Sequence, residues 1–194
     1  PWATRAFVEH VLGGQAATGS LHVLEPACGR GYMSSVLAEY FGYVTSSDIF
    51  EYGFAETRNF LNEPREEKSV DWMITNPPFK AAEAFVDEGL KVARVGVAIL
   101  TRTVFIESIG RYERLFSKRP PTIVAQYVER VPMVKGRLDK SASTATGYCW
   151  LVWGPLNNAG TELFWISPCR KQFERQADYT DVTGQTSEEP RVGN

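Results

Sequence analysis

The stretch Leu21-His22-Val23-Leu24-Glu25-Pro26-Ala27-Cys28-Gly29-Arg30-Gly31-Tyr32-Met33 decides the fold. A short apolar-rich run gives way to a turn holding two glycines. After it, Met33, Val36, Leu37, Tyr40 and Phe41 recur at helical spacing, the pattern of strand, glycine turn and helix. Glycines at Gly29 and Gly31 let the backbone turn sharply and approach a ligand closely, and the N-terminus of the following helix offers free N–H groups. A lone pair of glycines also serves as an ordinary turn, so the flanking residues must discriminate. A dinucleotide fingerprint requires a third glycine where Ser34 stands. The carboxylate of Glu25, just ahead of the glycines, repels a pyrophosphate and suits a ligand bearing an ammonium group.

Outward from this unit, helical spacing predicts a leading helix over 3–12, stopped at Gly13-Gly14. Strands are expected over 43–49 and 70–75, the latter ended by Asn76-Pro77-Pro78, followed by a helix over 80–93 and a buried strand over 95–100. A helix over 107–118, with Glu107 and Arg111 spaced for an i,i+4 pair, precedes strands over 122–131 and 146–153 and an edge strand over 161–166. Strands alternating with helices predict a mostly parallel α/β sheet covered on both faces. The strands over 122–131 and 146–153 have no helix between them and are expected to pair antiparallel. The polar run 176–194 reads as a tail, leaving one domain over 1–175.

With 194 residues and 43% hydrophobic content the chain can bury a core without disulfide or metal support. Its 21 Lys+Arg against 23 Asp+Glu give a formal charge of -2, so any polyanionic partner must be met by a local patch. The cysteines Cys28, Cys149 and Cys169 are odd in number, share no paired spacing and have only His10 and His22 as co-ligands, so reduced thiols and no metal site are expected. No apolar run approaches the roughly 18 residues of a membrane span, and neither a membrane nor a signal peptide is expected.

Two further loops fall where strands of such a sheet end, the edge at which ligands bind. Asp48 stands about twenty residues beyond the glycines, the spacing at which a carboxylate receives a ribose diol; a helix cap or solvated side chain would use the same residue type. Asn76-Pro77-Pro78-Phe79 is more specific. The prolines stiffen the backbone and donate nothing, so the Asn76 side-chain oxygen and a rigid carbonyl form two acceptors beside the aromatic face of Phe79. Two acceptors beside a plane suit a planar NH2 group: they hold both hydrogens and free the nitrogen lone pair for in-line attack.

On these motifs the chain resembles the Rossmann-like amino-methyltransferases, and among them the small phage- or prophage-type DNA adenine-N6 methyltransferases. The resemblance runs over about residues 1–153 and implies a Rossmann-like, class I fold, with a mostly parallel seven-stranded sheet, helices on both faces and an antiparallel last strand. It implies S-adenosyl-L-methionine as cofactor. Glu25, Pro26, Ala27, Cys28, Gly29 and Gly31 resemble the cofactor loop, Asp48 and Ile49 the ribose-binding position, and Asn76, Pro77, Pro78 and Phe79 the catalytic tetrapeptide, with Asn76 also against the cofactor. Trp2, Ala3 and Thr4 are similar to a segment lying against the cofactor's methionine part. Asn59 and Phe60 stand where the family carries Asp-Phe, with Asn59 as a departure that removes the charge. The implied partner is nucleic acid, foremost DNA, in the cytoplasm of a bacterium or phage-infected host.

No stretch is long enough for a separate target-recognition domain, so phosphate contacts fall to the loop over 130–143, with Arg130, Lys135, Arg137 and Lys140. The same tetrapeptide serves enzymes of ribosomal-RNA adenine or guanine and of protein glutamine, the last favouring Tyr in place of Phe. A catalytically silent nucleic-acid-binding subunit is the non-enzymatic alternative.

Overall fold

A computed structural model describes residues 1–63, 65–133, 146–154 and 160–179. The helices are α1 (Trp2–Val11), α2 (Gly14–Thr18), α3 (Tyr32–Leu37), α4 (Ala82–Val92), α5 (Ile109–Arg111) and α6 (Arg170–Phe173). The strands are β1 (His22–Glu25), β2 (Tyr43–Asp48), β3 (Glu56–Thr57), β4 (Val70–Thr75), β5 (Ala93–Arg102), β6 (Ile123–Tyr127), β7 (Tyr148–Trp153) and β8 (Glu162–Ile166). They form one sheet in the order β3-β2-β1-β4-β5-β7-β6-β8. The parallel α/β architecture expected from the alternating pattern is present.

Two details of the expectation are corrected. The sheet has eight strands, not seven, because Glu56–Thr57 adds a two-residue edge strand, β3, parallel to β2, while the expected edge strand over 161–166 is present as β8, parallel to β6. The antiparallel strand is therefore not the last but β7, inserted between β5 and β6 and antiparallel to both. The antiparallel pairing expected between the strands over 122–131 and 146–153 is present, with Ile123 opposite Val152 and Gln126 opposite Cys149.

Two apolar layers sandwich the sheet. On one face Trp2, Ala6, Phe7 and Val8 of α1 pack with Val36 and Leu37 of α3 over Trp150 and Val152. Phe7 stacks on Trp150 with ring centroids 4.2 Å apart. On the other face Phe85, Val86 and Val92 of α4 cover Met73, Val97, Ile99 and Leu151. Strands buried on both faces explain the near-continuous apolar runs of β4, β5 and β7.

The helix expected over 107–118 is irregular. Three α-helical residues run into a π-helical turn, Tyr112–Phe116. Arg111 does not reach for Glu107; it pairs with Glu83 at the head of α4 at 3.4 Å and donates to the Phe105 carbonyl. The start of the expected tail is also held, since Gln176–Tyr179 forms a 3-10 turn and Asp178 bonds Arg5; residues 180–194 lie outside the described set. No helix among the described residues is long and apolar enough to cross a membrane.

Candidate active site

The strand order β2-β1-β4 brings three loops side by side at the carboxyl edge: the glycine turn after β1, Asp48 at the end of β2, and the proline loop after β4. Their neighbourhood follows from backbone register, with Glu25 opposite Ser46 and Leu24 opposite Met73.

Glu25 is 2% exposed, and its carboxyl accepts a bond from the Ser34 hydroxyl, which itself accepts from Ser46 at 2.7 Å. Burial pushes its pKa up to about 8, against the lowering effect of the Ser34 bond. Among the described residues no basic side chain is bonded to it. Ser34, read from sequence only as a missing glycine, is thus the donor that holds this carboxyl.

The turn itself is held by backbone bonds. Cys28 N–H donates to the Ser47 carbonyl at 3.0 Å, and Gly31 N–H to the Cys28 carbonyl at 2.9 Å. Gly29 and Gly31 both adopt positive φ, 54° and 81°, a region glycine enters without strain. Space above Gly29 is open, with no atom within 4 Å of where a Cβ would stand; over Gly31 the ring of Phe54 takes that place, 2.3 Å from the same point. Phe54 therefore walls the groove, a contact no local pattern announces. Pro26 is buried and Ala27 half-buried beside them. The Cys28 thiol is pushed up to about 12 by burial and by the nearby Glu25 and Asp48, so it is an unreactive filler.

Asp48 does more than the spacing suggested. One carboxylate oxygen accepts from Gly29 N–H at 2.8 Å and the other from Phe50 N–H at 3.0 Å. It ties the glycine turn to the end of β2 while each oxygen keeps a lone pair for a diol. Ile49 is 52% exposed next to it.

After β4, Asn76, Pro78 and Phe79 are exposed and Pro77 is buried. The Pro78 carbonyl is taken by Ala81 N–H at 2.9 Å, so the rigid carbonyl left over is that of Pro77. Among the described residues the Asn76 side chain and the Pro77 carbonyl have no protein donor, and they remain as the two acceptors. Behind them the Thr75 hydroxyl is fully buried without a partner. The guanidinium of Arg102, at the end of β5, lies over the Phe79 ring at 4.7 Å from its centroid.

The remaining expected residues stand less directly at the site. Trp2, Ala3 and Thr4 are buried in α1, with Trp2 edge-on to Tyr127 at 5.6 Å and the Ala3 carbonyl accepting from the Tyr127 hydroxyl. Phe60 is core, packed on Phe85 at 5.2 Å. The Asn59 side-chain oxygen accepts from Leu61 N–H at 3.2 Å and shapes its own turn. Because β7 runs antiparallel, the β6–β7 connection starts and ends at this same edge. Arg130 there is exposed, while Lys135, Arg137 and Lys140 lie outside the described residues. A cleft of about 420 Å³ between Lys68, Arg94, Arg119 and Trp153 is at the opposite edge of the sheet, far from these loops.

No protein-family model and no curated protein matches the chain. Solved structures do. A protein of Pyrococcus horikoshii assigned as an RNA methyltransferase aligns with a TM-score of 0.57 and 13% identity, over 78% of this chain and 83% of the other. A modification subunit assigned to a type I restriction enzyme of Vibrio vulnificus aligns at 0.59 and 13%, over 92% of this chain, which spans 50% of the subunit's length. The 23S rRNA methyltransferase ErmE aligns at 0.50 and 21%, over 80% and 68%. The fold is therefore the Rossmann-like fold on which these methyltransferases are built.

Proposed function

We propose that the chain is an S-adenosylmethionine-dependent methyltransferase that modifies an exocyclic amine, with adenine N6 in DNA as its acceptor. The observation that carries this is the juxtaposition, on three adjacent strands, of a buried carboxyl lacking a cationic partner, a carboxylate fixed beside an open glycine turn, and two unpaired acceptors next to an aromatic ring. A fold of this kind hosts many functions, so the site has to carry the argument.

The residues fit the cofactor. Glu25 would hold its ammonium group, Asp48 its ribose diol, and the open backbone at Gly29 allows close approach. When bound, S-adenosylmethionine supplies an electrophilic methyl group on a cationic sulfur. The chain's part is positioning and oriented dipoles. The Asn76 oxygen and the Pro77 carbonyl accept the two amine hydrogens, localising the lone pair on nitrogen, and Phe79 stacks on the ring that bears it. The surplus proton leaves to water after transfer, so no charged base is needed. A paired adenine must first leave the duplex to reach this edge.

Incubation with labelled cofactor and DNA, RNA or protein, followed by nucleoside and amino-acid analysis, tests the proposal. Label is expected as N6-methyladenine from DNA. Label found only in ribosomal RNA or in glutamine would move the acceptor to those classes, and label nowhere would leave a silent binding subunit. Work in the cytoplasm belongs to the same proposal.

A further inference from the structure

Most arginines of the described chain are neutralised by carboxylates. Arg5 meets Glu39 and Asp178, Arg94 meets Asp71, Arg111 and Arg114 meet Glu83, and Arg119 meets Asp87. Arg102 is different. It is exposed at the end of β5, no carboxylate among the described residues pairs with it, and its guanidinium lies over the face of Phe79. Lys80, the next residue after Phe79, is likewise exposed and has no acidic partner among the described residues.

A guanidinium stacked on a ring spends only its face. Among the described residues none of the five N–H donors of Arg102 is bonded, so they stay available for a bidentate acceptor while the ring of Phe79 holds the group at the edge. The acceptor that matches this fork is a phosphate oxygen pair. We infer that Arg102, braced on Phe79, is the anchor for a phosphodiester of the strand carrying the target base, so that the acceptor amine belongs to a polynucleotide. This rests on the methyl-transfer function proposed above and adds to it the residue that positions the strand. A protein amide acceptor brings no anion to this position, and its enzyme has no use for an unpaired cation beside the catalytic ring. The register adds support. Arg102 pairs with Tyr148 of β7, and Thr103 N–H bonds the Gly147 carbonyl at 2.9 Å, so β5 holds Arg102 at a backbone-fixed point of the edge.

The experiment is fluorescence anisotropy of a labelled single-stranded deoxyoligonucleotide, with S-adenosylhomocysteine present so that no turnover is required. Arg102→Met, which keeps the apolar stem, is expected to weaken binding about tenfold, equally for adenine-containing and adenine-free strands, and to lower the salt slope by about 0.7. Arg102→Lys is expected to restore the salt slope and only part of the affinity, since it keeps charge without the fork. Cofactor affinity should stay unchanged in both variants. An unchanged salt slope in Arg102→Met, or equal loss in both variants, would make Arg102 a structural brace and overturn the inference; so would absence of binding by the native chain, or equal competition by a polyglutamate peptide. Binding that depends on Arg102 without methyl transfer to any acceptor would instead fault the proposed function.

Discussion

Glu25 shows how a single buried carboxyl links stability to ligand binding. Its pKa is raised by burial from an ordinary 4.5 to about 8, so between those values the folded chain keeps a proton that the unfolded chain releases. That contribution to stability is complete below pH 4.5 and lost as pH rises through 8. Glu25→Gln should therefore show a shallower fall in melting temperature between pH 5 and 8 than the native chain. Binding of an ammonium-bearing cofactor favours the carboxylate, so titration at pH 7 should release protons, seen as a buffer-dependent heat that Glu25→Gln lacks. Identical pH profiles for the two proteins would remove Glu25 from the site. Thr101, fully buried with no partner for its hydroxyl, offers a second test. Thr101→Val should raise stability by about 1 kcal/mol in urea, because an unmade buried hydrogen bond costs that much or more. Glu25, Asp48 and Asn76 could be singled out in the sequence as candidates because they stand at the ends of strands, where the structure places them. Ser34, Phe54 and Arg102 were not, because each gains its role from a partner on another element.

At the scale of elements, periodicity located every large helix and strand but not where the irregular ones turn. The 107–118 segment has the spacing of a regular helix, yet Arg111 is drawn by Glu83 across the fold and the chain takes a π-helical turn instead. A local i,i+4 pair of a few tenths of a kcal/mol does not outweigh a tertiary ion pair at the head of α4. The segment 161–166 was readable as an edge strand, and β8 stands at the sheet's edge with Leu163 and Trp165 exposed and Ile166 buried, but its parallel pairing was not readable, since that depends on where β7 inserts. α1 is the element whose packing is most consequential for the site, because it covers β7 and contacts α3 behind the glycine turn. Phe7→Ala, removing the ring stacked on Trp150, should cost about 3–5 kcal/mol by denaturant titration. A loss below about 1 kcal/mol would show that α1 is not part of the cooperative core.

Across the whole molecule, one side chain joins the first helix to the last described turn. Arg5 is 3% exposed and donates to Glu39 at 2.7 Å and 2.9 Å, to Asp178 at 2.7 Å and 2.8 Å, and to the Phe173 carbonyl at 2.9 Å. No local pattern announces this closure, because Glu39 and Asp178 are 34 and 173 residues away. Arg5→Met should cost about 3–5 kcal/mol, since it strands the buried Asp178 carboxylate while Glu39 keeps Arg175 at 2.9 Å, and the loss should shrink in acid as Asp178, which the Arg5 bonds hold below its ordinary pKa against the effect of burial, takes up its proton; a loss independent of pH would mean that packing alone is at work. The closure and the α1 layer hold the sheet, and the sheet in turn holds the three loops of its carboxyl edge in register, which is how distant packing serves the chemistry. The most direct check on that chemistry is the single-turnover rate of methyl transfer to DNA by Asn76→Ala at saturating cofactor. Loss of the side-chain acceptor should slow transfer by about 100–1,000-fold while cofactor affinity stays unchanged; transfer at the native rate would contradict the assignment of Asn76 as the group that holds the reacting amine.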